Sequence, residues 1–133
     1  MRASVTPFHS QLPVNVAFGD GVLREVPAAL EGLGARSVLV VVEETVATHP
    51  AVEQACAGAA SLGVRIDRFV KGVGEPTFAL ADELAERVRV ERHEAVVGIG
   101  GGSALDVAKA ARIVADQGGR SRDFADGSLV PQP

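Results

Sequence analysis

Runs of β-branched and aliphatic residues alternate along this chain with amphipathic stretches at helical spacing, and glycine or proline stands at most of the joins. Ser37 to Val42 (SVLVVV) is an unbroken run of strand length, the pattern of a strand buried on both faces of a parallel sheet. Val64 to Val70 and Ala95 to Ile99 predict two more strands. Val14 to Phe18 predicts a short one ahead of a Gly19-Asp20-Gly21 turn. Helices are predicted between them. The first has Pro27 in its first turn and ends at Gly32 to Gly34, and the second runs from Pro50 to Gly63. After a loop at Lys71 to Gly74, Glu75-Pro76-Thr77 opens a third helix to about Arg89, with Leu80, Leu84 and Val88 along one face. An Ala-rich helix from Ser103 to about Ala115 ends at Gly118-Gly119. Strands alternating with helices predict an α/β fold with a doubly wound, mostly parallel sheet and an N-terminal strand or hairpin.

Composition narrows the picture. A length of 133 residues fits one domain, and 47% hydrophobic residues with no Trp or Tyr require an aliphatic core. The formal net charge of −4, with Lys and Arg scattered among the acids, provides no basic surface for nucleic acid or anionic membrane. Cys56 stands alone, which excludes an intrachain disulfide and a Cys-based zinc site and suits a reducing cytoplasmic compartment. MRASVTPFHSQLP lacks an apolar signal-peptide core, and no apolar run reaches membrane-spanning length. The last stretch, GGRSRDFADGSLVPQP, has no hydrophobic periodicity and is read as a loop or tail, as though the chain were cut before its next core element.

Chemistry concentrates in AVVGIGGGSALDVAKAA, residues 95 to 111, where a buried strand runs into three glycines and then a helix. Gly100, Gly101 and Gly102 remove every Cβ from that turn, so an anion such as a phosphate can approach the backbone amides at the positive end of the helix. Ser103 is read as the N-cap, with Asp106 at N3 completing a capping box, and both residues are accounted for by that structural role alone. The spacing is neither that of a Walker loop nor G-x-G-x-x-G.

GIGGGSALDVAKA resembles the GGGS-x-x-D-x-x-K signature of the iron-containing (group III) alcohol dehydrogenases, and GVGEPT upstream resembles that family's Pro-Thr loop. FGDGVL and LGARSVLVVVEETV extend the resemblance over about residues 13 to 113. It implies a Rossmann-like nucleotide-binding domain at 13–118, preceded by an extension at 1–12 and followed by the loop or tail at 119–133. In the family the glycine loop holds the cofactor pyrophosphate, which carries over to Gly100, Gly101, Gly102 and Ser103, with Asp106 nearby and Lys109 matching the family lysine. Glu43 matches an acid, more often Asp, that accepts from the adenosine ribose. An acid there suits a free diol and repels the extra phosphate of NADP, so NAD is the expected cofactor and NADP the alternative. Taken alone, Glu43 and Glu44 read as residues that solvate a strand end, and Glu75 is explained equally well by the helix dipole.

The resemblance further implies hydride transfer between an alcohol or aldehyde and the nicotinamide, with Fe2+ or Zn2+ as Lewis acid in the full-length protein. The family's metal site, one Asp and usually three His on a helical second domain, has no counterpart here, so the fragment alone is expected to be inactive. His9, His49 and His93 lack metal-site spacing and are read as exposed or helix-end residues. Arg120, Arg122, Asp123 and Asp126 are read as a solvated tail. Two alternatives stay open: a glycerol-type or glycerol-phosphate dehydrogenase or dehydroquinate-synthase relative sharing a GGG-x-x-x-D core, and a freestanding nucleotide-binding module. Ser103, Lys109 and the Glu-Pro-Thr loop favour the alcohol dehydrogenase branch. Exposed apolar surface where a second domain would dock predicts a homo-oligomer.

Overall fold

The computed structural model describes residues 13–132. Its elements follow in the order α1 (Val26–Gly32), β1 (Ser37–Glu43), α2 (Pro50–Ser61), β2 (Arg65–Lys71), α3 (Phe78–Val90), β3 (Ala95–Ile99), α4 (Gly102–Gln117) and α5 (Ser121–Ala125), with a 3-10 turn at Val22–Glu25 ahead of α1. The three strands form one parallel sheet in the order β2-β1-β3. β1 is central because Val38 to Val42 are all buried, as the unbroken apolar run requires.

Alternate residues of β1 serve two cores. Val38, Val40 and Val42 pack with Leu30, Val52 and Ala59 of α1 and α2. Leu39 and Val41 pack with Ala81, Leu84 and Val88 of α3 and Val107, Ala108 and Ala111 of α4 on the opposite face. Each fully buried Val or Leu contributes about 1.5–3 kcal/mol, so this strand is the main source of cohesion. Helices on both faces make the sheet doubly wound, as the alternation predicted.

Four readings are corrected. Val14 to Phe18 does not form a strand: it joins neither open edge of the sheet and finds no core to bury its alternate residues, Val14, Val16 and Phe18 being 65%, 83% and 99% exposed. Lys71 is not in a loop but is the buried last residue of β2. The 119–133 stretch carries α5, too short for a periodicity signal and held instead by polar bonds: Ser121 N–H donates to Asp82 Oδ1 (2.7 Å), and its hydroxyl donates to the Phe78 carbonyl (3.0 Å). Arg122 lies 4.9 Å from the Phe78 ring centroid, and Arg120 and Asp123 cap α5.

His93, finally, is buried rather than exposed. Its Nε2 pairs with Asp67 Oδ2 (2.9 Å) and its Nδ1 with the Ser37 hydroxyl (2.9 Å), while Arg87 grips both Asp67 oxygens. This network ties β1, β2, α3 and the entry to β3 at the amino ends of the strands, opposite the glycine loop. The Arg87 hydrogen bonds, seconded by His93, hold the Asp67 carboxyl below the usual carboxylate range against the effect of burial. His49 does stand at a helix end, its Nδ1 accepting from Ala51 N–H (3.1 Å). His9 lies outside the described residues.

Candidate functional site

The carboxyl ends of the strands converge where the winding reverses. From central β1 the chain crosses to β2 on one side, then passes over to β3 on the other, leaving a crevice between the ends of β1 and β3. In open α/β sheets that is where ligands bind. Glu43 ends β1 and Ile99 ends β3, so the acid and the glycine turn face each other across the crevice.

The three glycines have different duties. Gly100 has φ of 141°, and a Cβ there would lie 2.7 Å from Glu43 Cβ and 3.2 Å from Ala104 Cβ, so conformation and space both demand glycine. Gly101 is extended (φ −79°, ψ −174°) and is the N-cap of α4, its carbonyl accepting from Ala104 (3.1 Å) and Leu105 (3.2 Å). Gly102 is the first helical residue, and a Cβ there would meet nothing within 4 Å.

Ser103 is therefore not the cap. Helical geometry starts at Gly102, and a hydroxyl cap must sit on the residue ahead of the first helical one, so Ser103 falls inside the first turn and no side chain caps α4. Asp106 makes no reciprocal bond to the cap and is exposed. The consequence is a helix start with open donors. Gly101 N–H donates to Glu43 Oε2 (2.9 Å), but no acceptor among the described residues takes the N–H of Gly102 or Ser103. Among the described residues Glu43 Oε1 has only the Thr45 hydroxyl, at 3.4 Å.

Around this turn the structure brings some candidates together and leaves others out. Asp106 lines a cleft of about 470 Å³ with Pro76, Thr77, Phe78 and Ser121, between the starts of α3 and α4 and the added α5. Thr77 caps α3, its hydroxyl accepting from Leu80 N–H (3.1 Å), which explains the Pro-Thr pair locally. Glu75 is exposed in the loop before it. Lys109 is exposed two turns further along α4, about 10 Å from the helix start. Arg120, Arg122 and Asp123 belong to α5.

Lys71 was missed. Paired in register with Glu43 at the strand ends, it is 3% exposed, and its Nζ donates to the carbonyls of Gly72 (2.9 Å) and Gly74 (2.7 Å), pinning the loop that leads to Glu75. Among the described residues, no three or more His, Cys, Asp or Glu side chains group as metal ligands, and no helix is long and apolar enough to cross a membrane.

A parallel α/β sheet with a glycine turn and open helix amides at its switch point is an arrangement suited to an anionic ligand. Residues 13–133 match the family model for iron-containing alcohol dehydrogenase, and the chain belongs to that family. It is 30% identical over 122 residues to the NAD-dependent methanol dehydrogenase of Bacillus methanolicus, covering 92% of this chain and 32% of the relative. It is also 30% identical over 117 residues to the hydroxyacid-oxoacid transhydrogenase of Pongo abelii, covering 88% of this chain and 25% of the relative. The NADH-dependent butanol dehydrogenase A of Thermotoga maritima superposes with a TM-score of 0.87 at 26% identity, over 95% of this chain and 32% of that structure. The chain thus spans about a quarter to a third of the length of these relatives.

Proposed function

We propose that this chain is the cofactor-binding part of a metal-dependent alcohol dehydrogenase that uses NAD. The observation that carries the reading is the pair of open amides at Gly102 and Ser103, set at the switch point of a chain from this family. They fit a pyrophosphate: two donors without acceptors among the described residues, no Cβ over the turn, and the positive end of a helix of 16 residues behind them. Gly100, Gly101, Gly102 and Ser103 hold the pyrophosphate, Glu43 accepts from the adenosine ribose, and Asp106 lines the adjoining cleft. When bound, NAD supplies the hydride acceptor for an alcohol carbon; the chain's own residues grip and orient it. The described residues do not fit a catalytic metal.

Residues 13–118 form the cofactor-binding unit in this reading, and the metal ligands belong to a helical domain of a longer protein. The NAD and NADH dependence of the methanol and butanol dehydrogenases supports the choice of cofactor. The substrate is a small alcohol or aldehyde and the compartment is the cytoplasm; neither nucleic acid nor membrane is a partner.

Glu43→Gln tests the ribose contact. Loss of a charged acceptor is expected to weaken NAD binding by roughly tenfold and to narrow the preference for NAD over NADP. Calorimetric titration of both cofactors on wild type and variant measures this. Unchanged preference in a folded variant would remove Glu43 from the ribose.

A further inference from the structure

The Glu43 carboxylate does not wait in the crevice for a ribose. It already sits on the helix start, with Oε2 2.9 Å from the Gly101 nitrogen and 3.3 Å from where a Gly101 Cβ would be. Gly101 N–H is the first donor of the same row as the open N–H groups of Gly102 and Ser103. A carboxylate there is stabilised by the same partial positive charge that would draw a phosphate. A second anion arriving at that row would meet the first at hydrogen-bond distance, and the two charges repel. The only other bond to the carboxylate among the described residues is the 3.4 Å contact from Thr45, so the side chain can turn away without breaking a network.

We infer that Glu43 is an internal stand-in for the cofactor pyrophosphate: in the free protein it occupies the Gly101 amide, and loading exchanges that amide for the ribose hydroxyls. This rests on the pyrophosphate reading of the glycine turn and adds a gate to it. The exchange keeps one anion on the Gly101 amide at a time and places the acid on the ribose only after the pyrophosphate has arrived. A ligand with pyrophosphate but no ribose displaces Glu43 without compensation and binds poorly. A full dinucleotide recovers the lost bond at the ribose. The gate thus selects against free pyrophosphate and isolated phosphates.

Inorganic pyrophosphate is the probe, because it engages the turn and offers nothing to Glu43. Its affinity is expected to rise roughly tenfold in Glu43→Gln and at least as much in Glu43→Ala, whereas the same Glu43→Gln change weakens NAD. For NAD the gain at the turn and the loss at the ribose oppose each other, which keeps the net loss near tenfold. Glu44→Gln removes an equal charge one residue away, from a side chain that contacts Val73 N–H rather than the glycine turn, and is expected to change pyrophosphate binding less than twofold. Titration followed by the Gly101, Gly102 and Ser103 amide resonances reads all four proteins. Equal pyrophosphate affinity in wild type and both Glu43 variants, or an equal gain in Glu44→Gln, overturns the gate alone. Absence of any shift at those three amides in every protein overturns the pyrophosphate reading itself.

Discussion

Gly100→Ala is expected to lower the unfolding free energy by about 2–4 kcal/mol and to abolish NAD binding at millimolar cofactor. Two effects add. The residue holds φ at 141°, a region that side-chain-bearing residues occupy only under strain, and its new methyl would stand 2.7 Å from Glu43 Cβ and 3.2 Å from Ala104 Cβ. Neither neighbour is the free end of a flexible side chain, so relief means moving β1 against α4 and displacing the helix amides from the crevice. Urea denaturation gives the stability and calorimetry the binding. A variant as stable as wild type that still binds NAD would show that the turn's geometry is not as described.

The largest effect away from the crevice is expected at Asp67. Asp67→Ala would leave the fully buried His93 ring without its Nε2 partner and Arg87 without its carboxylate, at a cost of about 2–3 kcal/mol, reduced from a fully buried case because Arg87 is 38% exposed. The wild-type network also sets a pH dependence. The folded-state pKa of Asp67 is depressed, so its contribution is present above the unfolded carboxyl value of about 3.9 and is lost as pH falls through the lower folded value. Denaturation midpoints measured from pH 7 downward should show wild type losing stability below about pH 4. Asp67→Ala should lack that component of the slope. Identical acid profiles in the two proteins would remove Asp67 from the account.

How much of this was legible in the sequence depended on whether the signal was local. SVLVVV announced a central buried strand because burial on both faces erases alternation, and AVVGIGGGS announced a strand, turn and helix because three glycines at that join have few other uses. Val14 to Phe18 misled for the opposite reason: strand propensity is local, but a strand needs a pairing partner and a buried face, and this segment has neither. Ser103 had the right residue type two positions too late, since the cap is decided by where helical geometry begins and glycine conformations are not encoded by spacing. The Asp67, Arg87, His93 and Ser37 network was invisible because its members lie up to 56 positions apart and meet only when β1, β2 and α3 are packed. Lys71 was hidden for a related reason. A lysine satisfied by two backbone carbonyls has no complementary side chain to reveal it.

Whether the α4 helix start is a pyrophosphate cradle is decided by NAD titration of Gly101→Val against wild type. Gly101 has an extended backbone that valine adopts freely, and its Cβ would meet only the movable Glu43 Oε2, at 3.3 Å, so the variant is expected to fold. Its side chain would nevertheless intrude beside the row of amides. NAD-dependent shifts of the Gly101, Gly102 and Ser103 amide resonances are expected in wild type, and affinity reduced by at least a hundredfold in the folded variant. NAD bound equally well by folded Gly101→Val, or shifting resonances elsewhere and not these, would contradict it and leave the glycines as a packing device.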